Sequence, residues 1–187
     1  MVSYVSFNAV LFFSAYIFGI WFYSHKLKRL PLVGNLASAI LTILPFFAIF
    51  MYYKNFETII FVHAIFLFIL ISMRELTKDL ENVKGDLALG YRTIPVKYGE
   101  RISKTMLTVL CVLAIVPIYL LLFNYDIGRM HYYFYLSVIL LVIFLLLLWK
   151  SKRKTHYVWL HNILKFIIVA GVFCIPLLDV AIILNRI

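Results

Sequence analysis

A chain of 187 residues that is 65% hydrophobic and 14% charged, with a mean hydropathy of +1.00, falls outside the soluble globular class, where about 25% of residues carry charge. The formal net charge of +10 would suit nucleic acid, but the basic residues gather in loops between apolar runs, a pattern of membrane topology. Continuous runs such as FYLSVILLVIFLLLLW exclude a β-barrel, whose strands alternate apolar and polar residues.

A bilayer-crossing helix needs about 20 predominantly apolar residues. Six such stretches follow in order, roughly residues 2–23, 36–53, 58–73, 106–123, 132–149 and 159–184. The predicted fold is an all-α polytopic bundle of about six spans, a single transmembrane domain over residues 1–187. Fourteen of the eighteen Lys and Arg residues lie in the loops after the first, third and fifth spans, whereas the other loops hold Lys54 and Arg129. The excess of positive charge assigns the stretch 74–104 to the cytoplasm and both chain ends to the outside. The first span then starts outside with no basic flank and no signal-peptide pattern before it, so a preceding segment is expected.

The loop after the first span reads YSHKLKRLPLVGN, residues 23–35. Its aromatic and basic residues suit an interfacial topology anchor, the reading local chemistry favours; the alternative is that Lys26, Lys28 and Arg29 form a cation cluster for a phosphate-bearing ligand. His63 stands alone in the third span and is expected to pack or to bond a neighbouring helix. Cys111 and Cys174 each sit alone in a span, as small buried hydrophobes.

The third span runs without a turn signal into the polar stretch 72–104, which holds five of the chain's eight carboxylates. Its helix is predicted to continue to about Val83. Glu75, Asp79, Asn82 and Asp86 recur at spacings of four, three and four residues, which on a continuous helix confines them to an arc of roughly 60°. Like charges on one stripe repel unless a cation neutralises them, and oxygen ligands suit Mg²⁺. The alternative is a solvated helix end with internal Glu75–Lys78 and Glu81–Lys84 pairs. Beyond the stripe, Gly85 and Gly90 loosen the helix, and Thr93, Ile94 and Pro95 predict an extended turn. Arg92, Lys97 and Arg101 follow, so a diphosphate would be gripped between metal on one side and cations on the other.

The string RELTKDLENVKGDLALGYRTIPVKYG, residues 74–99, resembles the second aspartate-rich region of the UbiA superfamily of intramembrane prenyltransferases. It is closest in texture to the branch containing geranylgeranylglycerol-phosphate geranylgeranyltransferases and homogentisate prenyltransferases. Residues 23–35 resemble that branch's earlier cytoplasmic loop. The resemblance implies a bundle of nine spans, of which this chain supplies what look like helices four to nine. It also implies two aspartate-rich regions holding Mg²⁺ and a prenyl diphosphate. The first, Asn-Asp-x-x-Asp, occurs nowhere in this sequence, so an upstream segment or a separate chain would supply it. In the second, Asp-x-x-x-Asp, the first aspartate is replaced by Asn82, a neutral and weaker ligand that Asp79 would support.

By that resemblance Asp79 and Asp86 are the catalytic residues and, with Asn82, the metal ligands. Lys28, Arg92 and Lys97 contact diphosphate, and Tyr23 orients the acceptor or guards the carbocation. The implied reaction is prenyl transfer to a lipid or aromatic acceptor, with membrane lipid around the enzyme and no nucleic-acid partner. A non-catalytic subunit or degenerate remnant is the alternative. A small transporter is a third reading, with Lys165 and Asp179 as its only charges inside a span; Lys165 is expected to snorkel toward the basic loop.

Overall fold

The computed structural model describes residues 7–52 and 57–174, and the regular structure there is entirely helical. Helix α1 spans Phe7–His25, α2 Val33–Tyr52 and α3 Thr58–Glu81. The short α4 (Val83–Ala88) precedes α5 (Ile94–Phe123), α6 (His131–Lys150) and α7 (Lys154–Cys174), with 3₁₀ turns at Leu27–Arg29 and Gly128–Met130. Each expected span falls on one of the long helices. Among the described residues four segments are long and apolar enough to cross a membrane, Thr58–Glu81, Ile94–Phe123, Gly128–Lys150 and Lys154–Cys174; the apolar part of α2, Val33–Ala48, is shorter. Lys54, Asp179 and the outer ends of the first and last expected spans lie outside the described residues.

Helix α3 is the centre. It packs on α5, α7 and α2, while α6 closes against α5 and α7, and α1 leans on α2. On α3 the buried residues Val62, Phe66, Leu70, Met73, Leu76 and Leu80 recur every three or four positions, the interval that keeps one helix face inward. The same interval marks Leu107, Cys111, Ala114, Ile118 and Leu121 on α5 and Phe134, Ser137, Leu141, Phe144 and Leu148 on α6. With Tyr157, Leu160, Leu164 and Ile167 of α7, these stripes form one core.

The opposite faces are apolar too, with Ile115, Val116, Leu146 and Phe166 exposed. Helices that are hydrophobic all round fit lipid rather than water outside. The featureless runs of α5 and α6 therefore face both each other and the bilayer. Helices α6 and α7 come close at Gly171, where a Cβ would stand 2.7 Å from the Tyr133 hydroxyl. That hydroxyl donates to Ile167 O at 3.1 Å, so the absent side chain leaves room for an interhelical hydrogen bond.

His63 packs as expected, bonded to Ile59 O at 2.8 Å and edge-on to Phe134. Cys111 and Cys174 are both free. Lys165 is exposed on α7, in keeping with a stem that runs back along the helix toward the polar end.

The basic loops meet at one end of the bundle, tied by specific bonds. Arg92 N donates to Arg29 O at 3.1 Å, and Arg74 Nε to His161 Nε2 at 3.3 Å. The buried Lys104 Nζ donates to Ser151 O at 2.6 Å and pairs with Glu100 at 2.8 Å. Tyr157 Oη donates to the same Glu100 oxygen at 2.7 Å. Asp126 and Arg129 lie in the loop between α5 and α6, with Asp126 Oδ1 accepting from Gly128 N at 3.2 Å. The segregation of charge read from the loops is thus a property of the folded bundle.

Candidate active site

Helix α3 carries the acidic stripe to the polar end but does not continue through it. Asn82, with φ −111° and ψ 19°, terminates α3 and precedes α4. Asn and Gly are poor helix formers, and Asn82 and Gly85 fall together here. Helix α3 thus ends close to the predicted limit of about Val83, but the single 60° stripe, which needs one helix to run on through Asp86, is corrected to two helices joined at Asn82.

The break brings Asp86 back toward the end of α3. Asp86 is 7% exposed and accepts from Thr93 Oγ1 at 3.1 Å and Asn82 Nδ2 at 3.4 Å. Asp79 lies within electrostatic range of Asp86 and Glu75, with the Asn35 side chain of α2 beside it. Asn35 is near enough to act on Asp79, yet neither Asn35 Nδ2 nor the buried Asp79 Oδ2 completes a hydrogen bond. Burying an unbonded polar atom costs roughly 1–3 kcal/mol, more if charged; the adjacent Asn35 donor and Asp79 acceptor can meet that cost by closing on each other or by taking up a ligand between them.

Gly85 completes the arrangement. A Cβ there would lie 2.9 Å from Asn82 Oδ1 and 3.0 Å from Nδ2, in the space the amide occupies. Glu75, the fourth member of the stripe, is instead paired with Lys78 at 3.6 Å and Arg74 at 3.9 Å. The Glu75–Lys78 pair is the one the solvated-helix alternative expected. Its companion differs, because Glu81 turns to His161 of α7 at 3.3 Å rather than to Lys84.

The basic side is built from two loops. The turn Leu27–Arg29 packs on the start of α2, where a Cβ on Gly34 would stand 3.0 Å from Leu27 O. Leu32 has φ 60°, a left-handed conformation unfavourable for a side-chain-bearing residue and of the kind found at functional sites. The Arg92–Arg29 backbone bond then sets this loop against the one following α4, and Lys28 Nζ sits 5.4 Å from the centre of the Tyr91 ring. Arg92 itself is exposed.

Thr93 is extended, as expected, but Ile94 and Pro95 open α5 instead of continuing a turn. Proline suits a first helical turn, where its missing N–H loses no bond. Lys97 is exposed on that turn, its ammonium 5.0 Å from the Tyr98 ring centre. Gly99, at φ 83°, then breaks the helical path before the long part of α5 begins.

Tyr23, in the last turn of α1, lines a cleft of about 180 Å³ with Tyr16, Ile20, Ser38, Leu41 and Thr42. It lies within electrostatic range of Glu75, Lys78 and Asp79. The structure thus gathers Asp79, Asn82 and Asp86, sets Tyr23 near them, and joins the loops bearing Lys28 and Arg92. Lys97 turns to its own aromatic neighbour, and Glu75 is engaged by cations. Asn35 and Thr93 are the residues to which the sequence pattern assigned no role. Each lies inside one of the two charged strings, but no spacing rule marks a lone amide or hydroxyl.

Among the described residues no three His, Cys, Asp or Glu side chains form a closed metal site. Two carboxylates and an amide oxygen form an incomplete all-oxygen set, with the orphan oxygen of Asp79 in it. A hard divalent cation commonly takes such a set and completes its shell with water and substrate phosphates, so these residues fit one.

Long apolar helices, with carboxylates and cations concentrated at one end of the bundle, define an integral membrane protein. A profile of the UbiA prenyltransferase family matches residues 1–178, and the chain belongs to that family. Members of this family generally need a divalent metal. Digeranylgeranylglyceryl phosphate synthase of Methanobrevibacter smithii is 36% identical over 125 residues, covering 64% of this chain and 42% of that protein. Proteins of the same name from Pyrococcus furiosus and Sulfurisphaera tokodaii are 36% identical over 103 residues and 29% identical over 129. They cover 54% and 66% of this chain and 36% and 45% of themselves. The matched region is thus less than half the length of each of these relatives. No solved structure matches the chain.

Proposed function

We propose that this chain is the part of an intramembrane prenyltransferase that grips the diphosphate of a prenyl donor and delivers the prenyl group to a lipophilic acceptor. The relatives' name favours an acceptor of the glyceryl phosphate lipid type carrying one prenyl chain. The observation that carries the reading is the buried, unbonded Asp79 oxygen beside Asp86, at the end of the bundle where the Lys28 and Arg92 loops are joined. Asp79, Asp86 and the Asn82 carbonyl would hold Mg²⁺. When bound, the ion would act as a Lewis acid and template toward the diphosphate.

The chain's own residues do the rest. Thr93 fixes the Asp86 carboxylate by its hydrogen bond, so that no reorganisation is needed as charge develops. Lys28, Arg92 and Lys97 supply positive charge to a leaving diphosphate on what is proposed to be the cytoplasmic side. Tyr23 presents an aromatic face to the allylic cation from the cleft between α1 and α2. Burial of the prenyl tail among apolar helices contributes roughly 0.8 kcal/mol per methylene. Partners supplying a further aspartate-rich region belong to this proposal.

A second reading, a non-catalytic subunit or degenerate remnant, draws on the neutral Asn82 and on the open metal set. Transfer of labelled geranylgeranyl groups from their diphosphate to geranylgeranylglyceryl phosphate, in membranes holding the full protein, separates the two. Turnover that depends on Mg²⁺ and disappears in Asp86→Ala is the expected result. No turnover by wild-type protein with either a glyceryl phosphate or an aromatic acceptor would leave the second reading standing.

A further inference from the structure

The third basic cluster takes no part in the site described above. Lys150, Lys152, Arg153 and Lys154 occupy the turn between α6 and α7 and all are exposed. None forms an ion pair; the described residues that do are Arg74, Lys78, Lys104 and His161. Lys152 lies within electrostatic range of Glu100, but the Glu100 carboxylate is already held by Lys104 and Tyr157. Four cations within five consecutive residues and without an ion-pair partner form a positive patch that attracts anions.

Beneath the cluster lies a cleft of about 410 Å³ lined by Leu147, Lys150, Ser151, His156, Trp159 and Ile163. Its polar rim and apolar floor run in sequence down the two helices, with Lys150 and His156 at the turn and Leu147 and Ile163 one to two turns away. Ser151 contributes no free group, since its hydroxyl donates to Leu147 O and its carbonyl accepts from Lys104. At the start of α7, a helix of 21 residues, His156 N donates to Arg153 O at 3.0 Å and His156 Nδ1 accepts from Lys152 N at 3.4 Å, while the other first-turn N–H groups, which lack intrahelical acceptors, favour an anion. Trp159, 70% exposed, lines the cleft as interfacial aromatics do.

We propose that this cleft binds one anionic phospholipid of the surrounding bilayer. Its phosphate lies between Lys150 and His156, with Lys154, two residues before His156 in the chain, adding to the positive field, and an acyl or isoprenyl chain follows Leu147, Trp159 and Ile163. Positive charge alone would suit any phosphate. The continuous apolar floor beside Trp159 selects one with a hydrocarbon chain attached.

Trp21 and Trp149 are the other tryptophans of this sequence; replacing both, together with any tryptophan outside it, by Phe leaves Trp159 as the sole reporter. The full-length protein in this background is placed in mixed micelles with acyl-brominated phosphatidylglycerol or, at equal mole fraction, acyl-brominated phosphatidylcholine. Phosphatidylglycerol should quench Trp159 at lower mole fraction, and Lys150→Gln/Lys154→Gln should reduce that preference by roughly fivefold for each charge removed. Arg129→Gln, an equal type of charge change at the other end of the bundle, should leave it unaltered. Both changes lie on the exposed surface, and unchanged circular dichroism confirms the fold. Equal quenching by the two lipids, or a preference that survives in the double variant, would overturn the proposal. Loss of the preference in millimolar inorganic phosphate would assign the cations to a soluble anion and overturn it as well.

Discussion

Replacement of Lys104 by Met tests how the polar end is held together. The Lys104 side chain is 8% exposed and bridges α5 to the turn before α7, donating to Ser151 O at 2.6 Å and pairing with Glu100 at 2.8 Å. Met keeps the apolar stem and removes the charge, so the loss is polar. A hydrogen bond from a charged donor contributes roughly 1.5–3 kcal/mol. Ser151 O retains a longer contact with the Tyr157 hydroxyl at 3.4 Å, which favours the lower half of that range. The Glu100 side chain is 51% exposed, so the ion pair belongs with surface pairs and adds less than about 1 kcal/mol. The sum is about 2–3 kcal/mol. For a chain of 150–250 residues each kcal/mol moves the midpoint by roughly 2–4 °C, giving a fall of about 4–12 °C in thermal unfolding followed in detergent. A double-mutant cycle with Glu100→Gln should return a coupling below about 1 kcal/mol. A midpoint lowered by less than about 2 °C, or a coupling carrying most of the loss, would refute the assignment of the stabilisation to Ser151.

Further predictions concern the acidic site. Thr93→Val removes the donor that orients Asp86 at little change in volume; supporting hydrogen bonds of this type are worth roughly 10–100-fold in metal affinity. The Mg²⁺ concentration for half-maximal turnover should rise by that factor, and an unchanged value would remove Thr93 from the site. Asn82→Asp adds a negative charge next to Asp86 and should lower the same half-saturation; no shift would show that residue 82 is not a ligand. Gly85→Ala places a methyl group where the Asn82 amide lies, 2.9 Å from its oxygen, while Ala raises helix propensity by roughly 0.8–1 kcal/mol over Gly. The expected outcome is an equal or higher unfolding midpoint with weakened Mg²⁺ dependence. A parallel loss of both would indicate misfolding instead.

The sequence alone determined the membrane class and the order of the helices. Spans are set by runs of apolar residues about 20 long, which demand lipid whatever they pack against. Clustering of the basic loops at one end was legible for a related reason, since alternate loops of a helical bundle fall on the same side. The family was legible in residues 74–99 and 23–35, because ionisable residues are costly at the end of a membrane helix and a charged string there marks where the chain works.

Only the tertiary structure decided how the charges meet. The sequence period placed Glu75 with Asp79, Asn82 and Asp86, yet Arg74 and Lys78 engage Glu75, and the helix breaks at Asn82. It likewise offered Lys84 as the partner of Glu81, whereas His161, 80 residues away, is the group within reach. Lone side chains such as Asn35, Thr93 and Lys104 carry no periodic signal, so their roles appear only when the fold sets Asn35 beside Asp79, Thr93 on Asp86 and Lys104 on Ser151. A pattern along the chain records which face a residue occupies; which opposite group desolvates or bonds it depends on the packing of the whole bundle.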